Sequence, residues 1–238
     1  MVERFDRVLL AAPDLAEAVA QYTTLLGVDP VMADDSDGDV VAWWILPNTV
    51  IEVRQGSETP SIAGLAFAAE GAGAVDSARD NALGLHVSLC DGSRTAGQRI
   101  PGGPGQCEDF SVDHVVLRTS SADNCVALFR DELGMRLALD KTVPQWGGRM
   151  LFFRTGKLTL EVIEAQGEKP REEDAQDTTD FFWGIAYQCP DIDAAAAGMA
   201  SRGVTLSEIR EGRKPGTRVA TVKSHCLDIP TLLIEPAG

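Results

Sequence analysis

The chain lacks most of what builds a metal-rich, secreted or nucleic-acid-binding protein. Only three histidines occur, His86, His114 and His225, so any metal site must draw largely on carboxylates. Its five cysteines (Cys90, Cys107, Cys125, Cys189, Cys226) are odd in number and show no C-x-x-C spacing. That argues against a disulfide framework and a zinc ribbon, and they read as reduced thiols. No apolar run approaches the roughly 20 residues that cross a bilayer, and none predicts a membrane partner. Glu3, Arg4 and Asp6 stand where a signal would be basic and then apolar, so no secretory signal is read and cytoplasm is the expected compartment. Cations are scarce: 21 Lys and Arg against 36 Asp and Glu leave a net charge of −15, which repels a phosphate backbone and makes nucleic acid a poor partner. What is present, 44% apolar and 24% charged residues over 238 positions, is the composition of a globular chain with one large domain or two ordinary ones.

An internal repeat organises the chain. Residues 5–28 (FDRVLLAAPDLAEAVAQYTTLLGV) align with 112–135 (VDHVVLRTSSADNCVALFRDELGM) at a constant offset of 107. Each copy opens as an alternating strand and passes into a helix, with inward positions Ala18, Val19, Tyr22 and Leu26 matched by Cys125, Val126, Phe129 and Leu133 at helical spacing. Each helix stops at a glycine suited to a C-terminal cap. Downstream, 40–54 matches 149–164, two β-rich runs joined at Pro47-Asn48 or Thr155-Gly156, as in hairpins. A fainter pair, 64–84 and 184–203, predicts a strand followed by an Ala-rich helix ending in Gly, with the second unit losing its last strands. The expected organisation is four units paired into two domains, 1–110 and 111–238, divided near Pro101 to Gly105.

This β-α-β-β-β duplication resembles the vicinal oxygen chelate superfamily of glyoxalases, bleomycin-resistance proteins and extradiol dioxygenases. The resemblance rests on Asp6-Arg7-Val8 and Asp113-His114-Val115, on Pro13-Asp14-Leu15 and Pro190-Asp191-Ile192, and on the glutamates of VIEV, LEVIE and LLIEP. It implies an α+β fold of four βαβββ units in two glyoxalase-like domains with concave sheets, the second unit truncated. It also implies ligand positions at His114, Glu161, Gly184 and Glu235 in the second domain, and at Arg7, Glu52 and Gly64 in the first, with the fourth strand not identifiable. His114, Glu161 and Glu235 would then hold one divalent ion (Mn, Fe, Co, Ni or Zn) in the second domain, Glu161 and Glu235 doubling as catalytic carboxylates. Gly184 leaves a gap for water, a substrate oxygen or Gln188. In the first domain Arg7 replaces the imidazole and is expected to pair with Glu52, without metal.

The stretch 209–223 concentrates five cations, Arg210, Arg213, Lys214, Arg218 and Lys223, in an acidic protein. It reads either as surface decoration or as an arm for an anionic ligand, with Arg118, Gln188, Arg213, Lys214 and Arg218 as the candidate substrate contacts. Lys214-Pro215-Gly216-Thr217 lacks the glycine pattern of a phosphate loop. Asp34, Asp35, Asp37 and Asp39 lack the Glu of a calcium loop and read as a solvated turn. Residues 171–180 read as a charged linker, and adjacent His225 and Cys226 make a poor nucleophile pair. A metal-dependent lyase or isomerase acting on a small anionic ligand is the favoured expectation. Dioxygenase chemistry is disfavoured because Gly184 stands where a second histidine would be. The alternative is a metal-free binding or resistance protein holding its ligand among Trp43, Trp44, Phe153 and Trp183. The resemblance leaves open whether the half-barrels close within one chain or in a homodimer.

Overall fold

The computed structural model describes residues 1–35, 38–96, 102–143, 148–165 and 180–238. Residues 171–179 of the expected linker and Asp37 of the acidic run lie outside them. The first unit forms as its pattern requires: β1 (Val2–Ala12), α1 (Leu15–Leu26), β2 (Val31–Asp34), β3 (Val40–Ile45) and β4 (Val50–Gln55). The Asp14 carboxylate caps α1 by accepting the Glu17 N–H at 2.9 Å. Gly27, at φ 78°, ends it in the left-handed region that a side chain would strain. Ala18, Tyr22, Leu25 and Leu26 are buried on the sheet.

The third unit repeats this with β8 (Ser111–Thr119), α3 (Ala122–Cys125) continued by a π-helix (Val126–Glu132), β9 (Arg136–Val143), β10 (Gly148–Thr155) and β11 (Leu158–Ala165); the fourth has β12 (Phe181–Gln188), α4 (Ile192–Ser201), β13 (Arg210–Glu211), β14 (Arg218–Val222) and β15 (Thr231–Glu235). Between them in the chain, the second unit consists of β5 (Ser61–Ala69), β6 (Ser77–Ala78) and β7 (His86–Cys90), followed by a short α2 (Ser93–Ala96).

That unit departs from expectation twice. No helix follows β5: Gly71 and Gly84 turn at φ 76° and 65°, Val75 is left exposed, and the buried leucines of 70–85, Leu83 and Leu85, sit together at its end instead of at helical spacing. The strand expected to be missing is present, since β7 runs parallel to β5 with Gly64 opposite His86.

Among the described residues the strands make one sheet, in the order β2-β3-β4-β1-β5-β12-β8-β11-β10-β9, with β7 and β6 continuing from β5, and β15, β14 and β13 from β12. In each half the first strands of the paired units run antiparallel, β1 beside β5 and β8 beside β12, and each first strand also runs parallel to the last strand of its own unit. Helices cover one face. The opposite face curves inward and carries His114 and Glu161. No helix among the described residues is long and apolar enough to cross a membrane.

Candidate functional site

Two β-bulges set the geometry. Along β8, His114 pairs with Ala186 and Val112 with Tyr187, so Asp113 is an extra residue. Along β1, Arg7 pairs with Ala66 and Phe5 with Phe67, leaving Asp6 extra at the equivalent point. A bulge re-aims its side chain, and in both halves the carboxylate turns to the next residue instead of the far face. The Asp113 Oδ2 lies 2.7 Å from His114 Nδ1, and Asp6 lies 3.2 Å from the Arg7 guanidinium. The repeated Asp-His and Asp-Arg pairs in the alignment were the only sequence signal for this role of Asp113.

In the C-terminal half, Thr159 of β11 sits opposite His114, which puts Glu161 two residues along on the same face. His114 Nε2 faces the Glu161 carboxylate at 3.8 Å, with the two side chains 18% and 17% exposed, shielded but open to solvent. Burial pushes the Glu161 carboxyl above its usual range, opposed by His114 and by Arg213 of the basic hairpin, with Asp113 adding to the rise. Gln188 lies at the end of β12, two residues beyond Ala186 on the same face.

Glu235 is not brought there. Leu232 and Ile234 sit opposite Ala186 and Gln188, so Leu233 and Glu235 face the helices. The Glu235 carboxylate accepts the Ile192 N–H at 2.8 Å, capping α4, just as Glu164 accepts the Ala122 N–H at 2.8 Å in the third unit. Glu235 is thus the counterpart of Glu164 and not of Glu161, and the shared apolar-acid ending of the two strands concealed that shift. Arg218 is likewise corrected: it pairs with Asp193 at 2.7 Å and Glu235 at 3.6 Å on the helix side. Lys214 lies at the turn between β13 and β14, its carbonyl accepting the Thr217 N–H at 3.1 Å.

Gly184 has a steric cause. A Cβ there would lie 2.7 Å from the Pro230 carbonyl oxygen, and one on Gly64 would lie 2.6 Å from that of His86. Close strand approach therefore excludes a side chain at this position in both halves. The remaining position falls on Leu232, or on Ser88 in the first half.

The N-terminal face is filled. Arg7, fully buried, is held by Asp6, by Glu52 at 3.2 Å and by Asp76 from the segment that replaces the expected helix. Burial alone would lower the Arg7 pKa, but Glu52, Asp76 and Asp6 outweigh it and raise it. Trp43 Nε1 donates to Glu52 at 2.9 Å, and its ring lies under Arg7 and Arg94 at 5.9 and 5.6 Å. The expected Arg7–Glu52 pair is present.

The expected aromatic ligand cage divides. Trp44 packs on Tyr22 and Phe153 on Phe129, both beneath the helices; Trp43 is inside the filled face, and only Trp183, 41% exposed, is open. Phe152, opposite Glu161, takes the place that Phe153 was expected to hold. All five cysteines are free and buried, and burial pushes the Cys90, Cys107 and Cys189 thiols up to about 11 and Cys125 to about 12. Cys226 is raised by burial too, while His225 contacts Ser224 instead, so the pair is no nucleophile. Two clefts, about 680 and 250 Å³, lie off this face, around Gly27, Pro30 and Gly103 and between α1 and α4; neither is lined by His114 or Glu161.

Residues 113–221 match the family model described as Glyoxalase/Bleomycin resistance protein/Dioxygenase superfamily. No curated protein matches the chain. Among solved structures, a mutant of 4-hydroxymandelate synthase from Streptomyces coelicolor is similar over 100% of this chain and 94% of its own, with TM-score 0.72 and 16% identity. At that identity the likeness is one of fold. Methylmalonyl-CoA epimerase from Mycobacterium tuberculosis aligns with 53% of this chain and 88% of its own, at 20% identity and TM-score 0.43. A hypothetical protein from Bacillus halodurans aligns with 54% of this chain and 96% of its own, at 19% identity and TM-score 0.44.

Proposed function

We propose, for a chain whose residues 113–221 carry the pattern of the glyoxalase, bleomycin-resistance and dioxygenase superfamily and whose whole length takes up its fold, that the half from 111 to 238 moves a proton on a small oxygen-bearing anion. The half from 1 to 110 is its structural support. The observation that carries this reading is the line Asp113, His114, Glu161 on an open concave face. An ionised Asp113 can only accept, so His114 donates its Nδ1–H and turns Nε2 toward Glu161. Glu161, raised by burial, is a stronger base than an ordinary glutamate and can take a proton from carbon next to a carbonyl. In its doubly protonated form His114 also carries an Nε2–H, which can donate to the oxygen where the charge develops. Isomerase or lyase chemistry follows from such an enolate.

A resident divalent ion does not fit this donor set. His114 and Glu161 supply two ligands, Glu235 faces away, and Gly184 and Leu232 supply none. Catalytic zinc sites use three protein ligands, and the described residues contain no group of three His, Cys, Asp or Glu able to hold a metal. No step is therefore routed through a metal. Elemental analysis of chelator-free protein is expected to give well under one ion per chain, with no rise in melting temperature on adding Mn, Co, Ni or Zn. Stoichiometric metal lost on His114→Ala would restore the metal-dependent reading.

The direct test incubates a panel of keto acids and acyl thioesters with the protein in D2O and follows loss of the C–H signal next to the carbonyl by NMR. Exchange with at least one member is expected, abolished by Glu161→Gln. Binding without exchange would leave a metal-free binding protein.

A further inference from the structure

The concave face extends from the His114–Glu161 dyad along β8 to a site built in only one half. Trp183 is the extra residue of a bulge on β12, since Phe182 pairs with Leu117 and Gly184 with Val116. Its ring lies 5.5 Å from the Arg118 guanidinium. Phe181, opposite Arg118, is 45% exposed, and Leu139, opposite Phe152, is 38% exposed. Arg118 has no ion pair among the described residues, although acids outnumber cations by 36 to 21. An exposed aromatic cluster around an unpaired cation leaves both apolar surface and charge unsatisfied.

The repeat supplies an internal control. The positions equivalent to Arg118, Trp183 and Phe181 in the first half are Ala11, Ala63 and Ser61, and the counterpart of Phe152 is Trp43, buried within the ion-pair cluster. Among the described residues, exposed aromatics beside a guanidinium with no ion pair thus stand at these positions only in the half that carries His114 and Glu161. Arg118 is four residue steps along the strand from His114, about 13 Å of extended strand.

We propose that the face between them binds an elongated carboxylate with an apolar, ring-sized middle: the carboxylate on Arg118, the ring on Trp183 and Phe181, and the far end at the dyad. This deepens the proton-transfer reading by naming its substrate class, and it rests on that reading only for what happens at the far end. Arginine binds a carboxylate through two parallel N–H donors, and its stack on Trp183 holds the fork in place. A short acid such as propanoate could reach Arg118 or the dyad, but not both.

Calorimetric titration of the wild-type chain with 3-phenylpropanoate, 3-phenylpropanamide and propanoate tests this. The aromatic acid is expected to bind with Kd below about 1 mM, the amide about 10-fold weaker, and propanoate without detectable heat. Arg118→Gln, a change at an exposed side chain, should bring the acid to the level of the amide and leave the amide unchanged. Trp183→Ala should weaken both, and His114→Ala should leave acid binding within about two-fold, because one remote contact carries little of it. Equal binding of acid and amide, an unchanged Arg118→Gln variant, or no binding at about 10 mM overturns the assignment. So does a Trp183→Ala variant that turns a dimer into a monomer in sedimentation while acid binding stays the same, which would make the face a contact between copies. Acid binding lost in Arg118→Gln in a protein that exchanges no proton would sink only the dyad's role; proton exchange without dependence on Arg118 would sink only this one.

Discussion

Arg7→Ala is expected to destabilise the chain by about 3–5 kcal/mol, the usual cost of removing one partner from a buried ion pair. Arg7 is fully buried and neutralises Asp6, Glu52 and Asp76, of which Asp6 and Glu52 are themselves buried. Removing it takes the shared cation from three carboxylates, leaving among the described residues only Arg54 for Glu52 and only Arg4, at 3.8 Å, for Asp6, so the crowded charges must repel one another or take up protons. The loss should appear as a lower urea midpoint and shrink toward acid pH, where protonation relieves the stranded charges. Arg7→Lys should recover only part of it, since one ammonium cannot donate in three directions as the guanidinium does. Arg7→Met combined with Asp6→Asn, Glu52→Gln and Asp76→Asn should recover more, because replacing a whole buried charge cluster is far cheaper than halving it. A fall below about 1 kcal/mol for Arg7→Ala, within the range of ordinary surface changes, would show that this cluster is not what holds the first half together.

Glu161→Gln and His114→Ala are each expected to lower proton exchange by about 10²- to 10⁴-fold, the usual contribution of a positioned acid or base. Substrate binding should change little if Arg118 anchors the far end. The acid limb of the pH profile should lie above the range of an exposed glutamate, because burial raises the Glu161 pKa despite the opposing His114 and Arg213. The same shift fixes a sign for stability. The folded chain holds the Glu161 proton more tightly than the unfolded chain, so stability falls as pH rises from the unfolded value through the folded one. Glu161→Gln removes that penalty and should melt higher than wild type at pH above the shifted value, with no gain well below it. A variant inactive and also less stable at neutral pH would mean that Glu161 is structural. Asp113→Asn should lower exchange less than His114→Ala, because the imidazole remains and only its orientation is loosened.

Much of the architecture was legible without coordinates. The gapless repeat at 107 residues placed β1, α1, β8 and the helix after it, and the period of the apolar positions showed which helix faces are buried, since that pattern depends on local geometry alone. The Arg7–Glu52 pair followed from the ligand positions that the superfamily resemblance implied. The helix expected after β5 did not, because alanine-rich composition says nothing about whether a face exists for it to cover.

What the sequence by itself determined is the repeat and its units, which rest on short-range spacing that the chain carries wherever it goes; the curved sheet and the choice of His114 and Glu161 came from the resemblance that the repeat carries. Only the tertiary structure decided which carboxylates meet. Glu235 differs from a true partner of Glu161 by a strand register, and one odd step in register moves a side chain to the opposite face. The bulges at Asp6 and Asp113, the close approach that demands Gly64 and Gly184, and the exposed shelf of Phe181 and Trp183 all arise from pairing between distant strands. A strand cannot specify its partner's register within its own few residues, so the site's third dimension had to come from the assembled sheet.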